Sequence, residues 1–192
     1  MGKTAVFGGS FDPVHKAHTR LAEEAVAAFN LSRVIFVPAF MPPHKEKQYA
    51  DVGDRIAMLK IAVKNIKNAE ISFYEAEQRK VVYSYQTLDY FKTLYPHDEI
   101  LMIIGADSFN ELESWKNIDY LAANYGFIVA KRPNVAANIK KKYYDRCVFM
   151  NNDLIDASST NIRELLKSGD GKAASCLDKD VDRYIKENGL YK

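Results

Sequence analysis

Thr4-Ala-Val-Phe-Gly-Gly-Ser-Phe-Asp-Pro-Val-His-Lys-Ala-His18 is the stretch whose reading decides the fold. Thr4 to Phe7 is a short apolar run that halts at Gly8-Gly9, the punctuation of a buried strand entering a tight turn. A helix is expected next. From Ala17 to Phe29 the residues Leu21, Ala25, Ala28 and Phe29 recur at i, i+4, i+7 and i+8, with Glu23 and Glu24 on the other face.

Downstream the same alternation continues. Arg33 to Val37, closed by Pro38, reads as a strand, and Asp51 to Ile66 as a helix through Ile56, Leu59, Val63 and Ile66. Glu70 to Tyr74 looks extended, Thr87 to Tyr95 helical, and Ile100 to Ile104 is the most apolar strand in the chain. Phe127 to Ala130 and Cys147 to Met150 are further strands, with a basic helix expected around Ile139 to Tyr144. Helices at Asn161 to Lys167 and Val181 to Asn188 complete the series. The strands are continuous apolar runs, which marks a parallel sheet covered on both faces. The expectation is therefore a doubly wound α/β fold, with ligands bound at the carboxyl ends of the strands.

Composition agrees. The 192 residues carry 27 Lys and Arg against 25 Asp and Glu, a formal net charge of +2, with 47% hydrophobic positions. Disordered, collagen-like and small disulfide-scaffold classes are excluded, and a single domain over residues 1–192 is expected. So weak a field gives no reason to expect nucleic acid or an anionic membrane as partner. Cys147 and Cys176 form neither a C-x-x-C pair nor a zinc pattern, and the apolar run from Tyr120 to Ala130 falls short of the ~20 residues that span a bilayer. A cytoplasmic protein is expected, with a homo-oligomer left open.

Several segments could carry chemistry. Gly8-Gly9-Ser10-Phe11 joins the first strand to the first helix, where a phosphate can approach backbone N–H groups and a helix N-terminus. His15 and His18 lie three apart on one helical face, and neutral imidazoles there can donate to phosphate oxygens. Zinc is the weaker alternative, because helical zinc pairs prefer i, i+4 with an intervening Glu. Ser158-Ser159-Thr160-Asn161 followed by Arg163 is a helix start with an arginine in its first turn, where it opposes the helix dipole; a nearby anion would rationalise it. Gly105-Ala-Asp107-Ser108 follows the most apolar strand, the only tryptophan is Trp115, and Lys131-Arg132-Pro133 follows the Phe127 strand. The connection from Ala39 to Ala50, with Pro42, Pro43, His44, Lys45 and Lys47, is longer than usual and is a candidate binding loop. Gly2-Lys3-Thr4 is not a Walker A end, and no G-x-G-x-x-G fingerprint is present.

Gly8-Gly-Ser-Phe-Asp-Pro-Val-His15-x-x-His18 with Ser159-Thr160-x-x-Arg163 resembles the nucleotidylyltransferase superfamily. Pro42-Pro43-His44-Lys45, Gly105-Ala-Asp107-Ser108 with Trp115, Arg132-Pro133 and the closing Tyr184-Ile-x-x-Asn188-x-Leu-Tyr191 are similar to the bacterial nicotinate-nucleotide adenylyltransferases. The resemblance implies a Rossmann-like nucleotidyltransferase fold and transfer of AMP from ATP to nicotinate mononucleotide, with Mg²⁺. It assigns the Gly8 to Phe11 backbone, His15 and His18 to the reacting and ATP phosphates. Arg163, Ser159 and Thr160 go to the triphosphate, and Gly105 and Asp107 to ribose and adenine. Lys45 with His44 would close over the phosphates, and Ser84, Tyr85, Gln86, Trp115 and Arg132 would meet the acceptor, Trp115 by stacking on its ring. No protein-held metal site is implied. Departures from the pattern are Ala17 for a glycine, Ser84 for a threonine, Gln86 for an aspartate and Ala157 for an isoleucine. Other readings are a pantetheine-phosphate adenylyltransferase or another nucleotidylyltransferase, and a nucleotide-binding module without turnover.

Overall fold

The computed structural model describes residues 1–42, 48–138 and 141–192. In chain order the elements are β1 (Lys3–Gly9), α1 (Lys16–Phe29), β2 (Arg33–Pro38), α2 (Val52–Val63), β3 (Ala69–Ile71), α3 (Tyr74–Gln78), α4 (Ser84–Leu94) and β4 (Glu99–Gly105). They continue with α5 (Ala106–Asn110), α6 (Ile118–Asn124), β5 (Gly126–Ala130), β6 (Cys147–Phe149), α7 (Ser159–Ser168), α8 (Ala173–Cys176) and α9 (Lys179–Glu187). Short 3₁₀ turns lie at Leu112–Ser114 and Tyr144–Arg146.

The six strands form one sheet in the order β3-β2-β1-β4-β5-β6, and every pairing is parallel. Strand order reverses between β1 and β4, where Ala5 lies opposite both Val34 and Leu101. That reversal opens the crevice where doubly wound sheets bind ligands. Side chains alternate across the sheet, yet both faces are apolar. Ala5, Phe7, Val34, Phe36, Leu101 and Ile103 pack against α1, α2, α7 and α9, while Val6, Ile35, Val37, Met102 and Ile104 pack against α4, α5 and α6. Continuous apolar strands are the sequence consequence of covering both faces.

Some boundaries differ from expectation. The stretch expected to be extended to Tyr74 leaves the sheet after Ile71: Ser72 N–H donates to the Phe36 carbonyl at 2.9 Å, and Tyr74 N–H then turns back onto Ser72 Oγ at 3.3 Å, opening α3 instead. α4 begins at Ser84, three residues before the expected Thr87, because Gln86 Oε1 caps Tyr83 N–H at 3.0 Å. The expected basic helix at Ile139 to Tyr144 has its first residues outside the described ones, and Tyr144 itself opens a 3₁₀ turn. α5, α6 and α8 have seven residues or fewer and too few turns to show a period. Among the described residues no helix is long and apolar enough to cross a membrane.

Glu75 of α3 makes a testable contact with α4. Thr87 Oγ1 donates to its carboxylate at 2.6 Å, and burial raises the carboxyl from its ordinary value of 4.5 to about 7, against the smaller opposite effect of that hydrogen bond. Below pH 4.5 both folded and unfolded states hold the proton, so nothing is lost. Between about 4.5 and 7 the unfolded chain releases it while the folded one retains it, so this group makes stability fall as pH rises. The penalty above pH 7 is on the order of 2–3 kcal/mol. Glu75→Gln, which keeps an acceptor for Thr87, should therefore raise the melting midpoint relative to the parent by several degrees at pH 8 and by little at pH 4.5. Equal shifts at the two pH values in thermal melts would contradict the burial argument.

Candidate active site

β1 delivers the chain to the crevice, and the next residues turn sharply. Phe11 has φ +49°, a left-handed conformation that costs a bulky side chain about 1–2 kcal/mol. It is held there by packing: its ring lies edge-on to Phe7 at 5.6 Å and to His18 at 5.1 Å, and 5.7 Å from Phe36. Gly9 gives the ring room, since a Cβ there would lie 3.1 Å from it and the ring would have to shift. The Asp12–Pro13 peptide is cis, Val14 is fully buried, and α1 begins after His15.

His15 and His18 stack face to face, 3.7 Å between centroids and 29° between planes. His15 N–H donates to His18 Nδ1 at 3.3 Å, so the neutral His18 ring carries its proton on Nε2. His15 is 3% exposed, and among the described residues its Nδ1 has no hydrogen-bond partner. Burial, assisted by the Arg132 charge, pushes its pKa down to about 3, so the ring is neutral at any physiological pH. Ala17 sits within α1 in ordinary right-handed helix and packs on the core, so the backbone there makes no demand for glycine.

The far end of the chain meets the same turn. Ser158 Oγ caps α7 by accepting from Asn161 N–H at 3.1 Å, as expected of a helix start. One residue on, Ser159 Oγ donates to the Pro13 carbonyl at 2.9 Å. Arg163 Nη1 donates to the Asp12 carbonyl at 2.7 Å and Nη2 to Thr160 Oγ1 at 3.1 Å, while its guanidinium carbon stands 4.1 Å from the Tyr49 ring centre. The imidazole pair and the arginine are thus both anchored at the turn after β1, through residues 12 to 15. A five-donor guanidinium spending two donors here keeps three for a ligand.

On the β4 side, Gly105 ends its strand at the close approach of Asp107 and Arg132, whose ion pair is 3.6 Å long. A Cβ at Gly105 would lie 2.2 Å from Asp107 Oδ1 and 2.7 Å from Arg132 Nε. Beside Arg132 a largely apolar cavity of about 350 Å³ is lined by Ala106, Val129, Val135, Met150 and Leu154, with Lys131 and Arg132 also in its wall.

Ser84, Tyr85, Gln86 and Trp115 lie on the α4–α6 side of the sheet. Ser84, Tyr85 and Gln86 form the first turn of α4, where Gln86 spends its oxygen on the cap. Trp115 follows the 3₁₀ turn and, like Tyr85, is half-buried on the α4–α6 core. His44 and Lys45 lie outside the described residues, as do Pro43 and Lys47.

Sequence reading missed a buried framework under the turn. The Asp12 carboxylate, 2% exposed, accepts from Tyr49 N–H at 2.8 Å, Ala50 N–H at 3.1 Å and Tyr191 O–H at 2.7 Å. Arg55, 1% exposed, donates to the carbonyls of Ser10 at 2.7 Å, Phe40 at 3.2 Å and Ala50 at 3.3 Å. Its signal was its spacing: Arg55, Met58, Leu59 and Val63 are the buried positions of α2, so a charge occupies the core stripe and Ile56 beside it stays partly exposed.

Comparison with known proteins follows the same lines. A family model described as cytidylyltransferase-like matches residues 6–165. A protein of Endomicrobium trichonymphae, named "Probable nicotinate-nucleotide adenylyltransferase", is 55% identical over 193 residues, covering 100% of both chains. One of the same name from Clostridium tetani is 33% identical over 201 residues, again with 100% of both covered. Among solved structures, Plasmodium falciparum nicotinic acid mononucleotide adenylyltransferase complexed with NaAD superposes with a TM-score of 0.83 at 19% identity, covering 100% of this chain and 98% of that one. The same enzyme complexed with APC gives 0.81.

Proposed function

The chain belongs to the nicotinate-nucleotide adenylyltransferases of the cytidylyltransferase-like family, and from that membership we propose how its own residues carry out the transfer. The reaction moves AMP from ATP to nicotinate mononucleotide. An oxygen of the mononucleotide's phosphate attacks the α-phosphorus of ATP, the bond from that phosphorus to the bridging oxygen of the β-phosphate breaks, and pyrophosphate leaves as the dinucleotide forms. No covalent intermediate on the protein is needed, so positioning and charge neutralisation do the work.

The observation that carries the assignment is the meeting of α7 with the turn after β1: Arg163 on the Asp12 carbonyl at 2.7 Å and Ser159 on the Pro13 carbonyl at 2.9 Å, beside the stacked imidazoles. His18 Nε2–H and the neutral His15 ring donate to the α- and β-phosphate oxygens, with the Gly8, Gly9, Ser10 and Phe11 backbone beneath them. Arg163, with Ser159 and Thr160, takes the charge that builds on pyrophosphate. Gly105 and Asp107 meet the ribose, and the apolar cavity beside Arg132 suits adenine in size and character. Ser84, Tyr85, Gln86 and Trp115 receive the nicotinate half, and His44 and Lys45 of the long connection bring further donors and positive charge to the phosphates. Residues 1–192 act as one nucleotidylyltransferase domain, a reading supported by the return of α7 to the turn after β1.

Mg²⁺ neutralises phosphate charge when it accompanies ATP. The protein's residues do not fit a resident metal: among the described residues no group of three or more His, Cys, Asp or Glu converges, and the oxygens of Asp12 are taken by three protein donors. No step here is routed through the ion.

Pyrophosphate release from ATP with nicotinate mononucleotide, its amide, phosphopantetheine and glycerol phosphate tests the reading. Release with the first and little with the others is expected. Release with phosphopantetheine alone would move the protein to another branch of the superfamily, and silence with all four would leave a binding module. Trp115→Ala should raise KM for the mononucleotide roughly tenfold or more with KM for ATP unchanged, since base–aromatic stacking contributes about 1–3 kcal/mol. Equal loss of both would make Trp115 a core residue only.

A further inference from the structure

Tyr191 lies beyond α9, far along the chain from the turn after β1, yet its hydroxyl reaches the Asp12 carboxylate at 2.7 Å. The backbone bends to place it there. α9 is closed by Asn188 N–H and Leu190 N–H donating to the carbonyls of Tyr184 and Ile185, both at 3.0 Å, and both Gly189 and Tyr191 then adopt left-handed backbone at φ +62°. For tyrosine that conformation is unfavourable, so the surrounding contacts hold it. The half-buried residue packs on the α1/α2/α9 core.

Asp12 is the point where this contact acts. A carboxylate this buried must have its lone pairs satisfied. Two of its donors, the N–H groups of Tyr49 and Ala50, come from the connection after β2, and Tyr191 supplies the only side-chain donor among the described residues. The backbone carbonyl of the same residue seats Arg163 Nη1. A shift of the carboxylate tilts the peptide, and with it the guanidinium at the mouth of the crevice. Burial and the Asp12 charge both raise the Tyr191 phenol, so it remains a donor throughout the pH range of an assay.

We infer that Tyr191 is a positioning residue for adenylyl transfer: its hydroxyl fixes the Asp12 carboxylate and, through that residue's carbonyl, the placement of Arg163. The inference rests on the transfer reading above. Arg163 would be aligned before substrate arrives, by a contact more than 25 residues away from it in sequence that never touches the nucleotide.

Tyr191→Phe keeps the ring and removes only the donor. Assayed with ATP and nicotinate mononucleotide beside the parent protein, it should lose about tenfold in kcat per folded molecule. KM for both substrates should stay within about twofold and the melting midpoint within about 5 °C. In an Asp12→Asn background the same change should cost less than about twofold, because the residue it acts through is already altered. Unchanged kcat per folded molecule, with any lost activity following the unfolded fraction, overturns the inference, as do losses that simply multiply in the double variant. A parent protein that releases no pyrophosphate overturns the transfer reading and this inference together, whereas a normal parent with an unaffected Tyr191→Phe overturns this inference alone.

Discussion

His18→Ala is expected to lower kcat by ~10²-fold or more while shifting the melting midpoint by only a few degrees. The magnitude follows from what the ring is set up to do. His18 Nδ1 is occupied by the His15 N–H at 3.3 Å, which leaves the single ring proton on Nε2. The ring plane is fixed by stacking on His15 at 3.7 Å and by the edge contact with Phe11 at 5.1 Å. A donor held this way needs no reorganisation as charge builds on the transferring phosphate, and loss of one such donor typically costs 10²–10³ in turnover. Stability should fall only modestly, through loss of the His15 N–H cap and of the ring's contacts with His15, Phe7 and Phe11. KM for ATP should move less than kcat if the hydrogen bond strengthens in the transition state. Unaltered turnover in His18→Ala would remove the imidazole from the mechanism. A rise in KM alone would make it a ground-state ligand. His18→Gln, whose amide can donate near the Nε2 position, should recover part of the loss.

The fold was legible because its strands are apolar on both sides. Thr4 to Phe7, Ile100 to Ile104 and Phe127 to Ala130 can be covered twice only by helices between parallel strands, and the observed order places β1 and β4 at the reversal. The site was legible where residue type and position coincide: glycines at a strand end, histidines opening α1, and an arginine in the first turn of α7. Three kinds of feature were not. Short helices such as α5 and α6 present too few turns for a period to register. The bend after Ile71 depends on a Ser72 oxygen and a ladder bond to Phe36, which are tertiary facts. The contacts that tie Asp12, Arg55 and Tyr191 to the turn are long-range: Asp12 meets Tyr49 across 37 positions, Arg55 meets Ser10 across 45 and Tyr191 meets Asp12 across 179. Spacing carries no information over such distances, and only the odd placement of Arg55 on a core stripe hinted at it.

Arg55→Met should have the largest effect on stability. Its guanidinium is 1% exposed and joins three carbonyls from two segments: Ser10 in the turn after β1, and Phe40 and Ala50 at either end of the connection that carries His44 and Lys45. Burial lowers the arginine's pKa, while the charges of Asp12 and Asp51 act in the opposite direction, so the charge is kept in the interior by these two carboxylates. A methionine fills most of the volume but supplies no donor, which strands three carbonyls and leaves the buried Asp12 carboxylate without its nearby cation. Leaving buried carbonyls unpaired beside a buried carboxylate that has lost its compensating charge costs about 3–5 kcal/mol. At about 2–4 °C per kcal/mol for a chain of this size, the melting midpoint should fall by roughly 6–20 °C. The turn should also lose its footing, because Ser10 lies between Gly9 and the strained Phe11. Turnover per folded molecule, measured well below the new midpoint, should therefore drop about tenfold even though Arg55 touches no substrate. Arg55→Lys should recover little of either loss: an ammonium on a shorter, flexible stem cannot place donors on three carbonyls in the plane that the fork spans. A variant as stable as the parent would mean that water replaces the fork, and full turnover per folded molecule would separate the Ser10 carbonyl from catalysis.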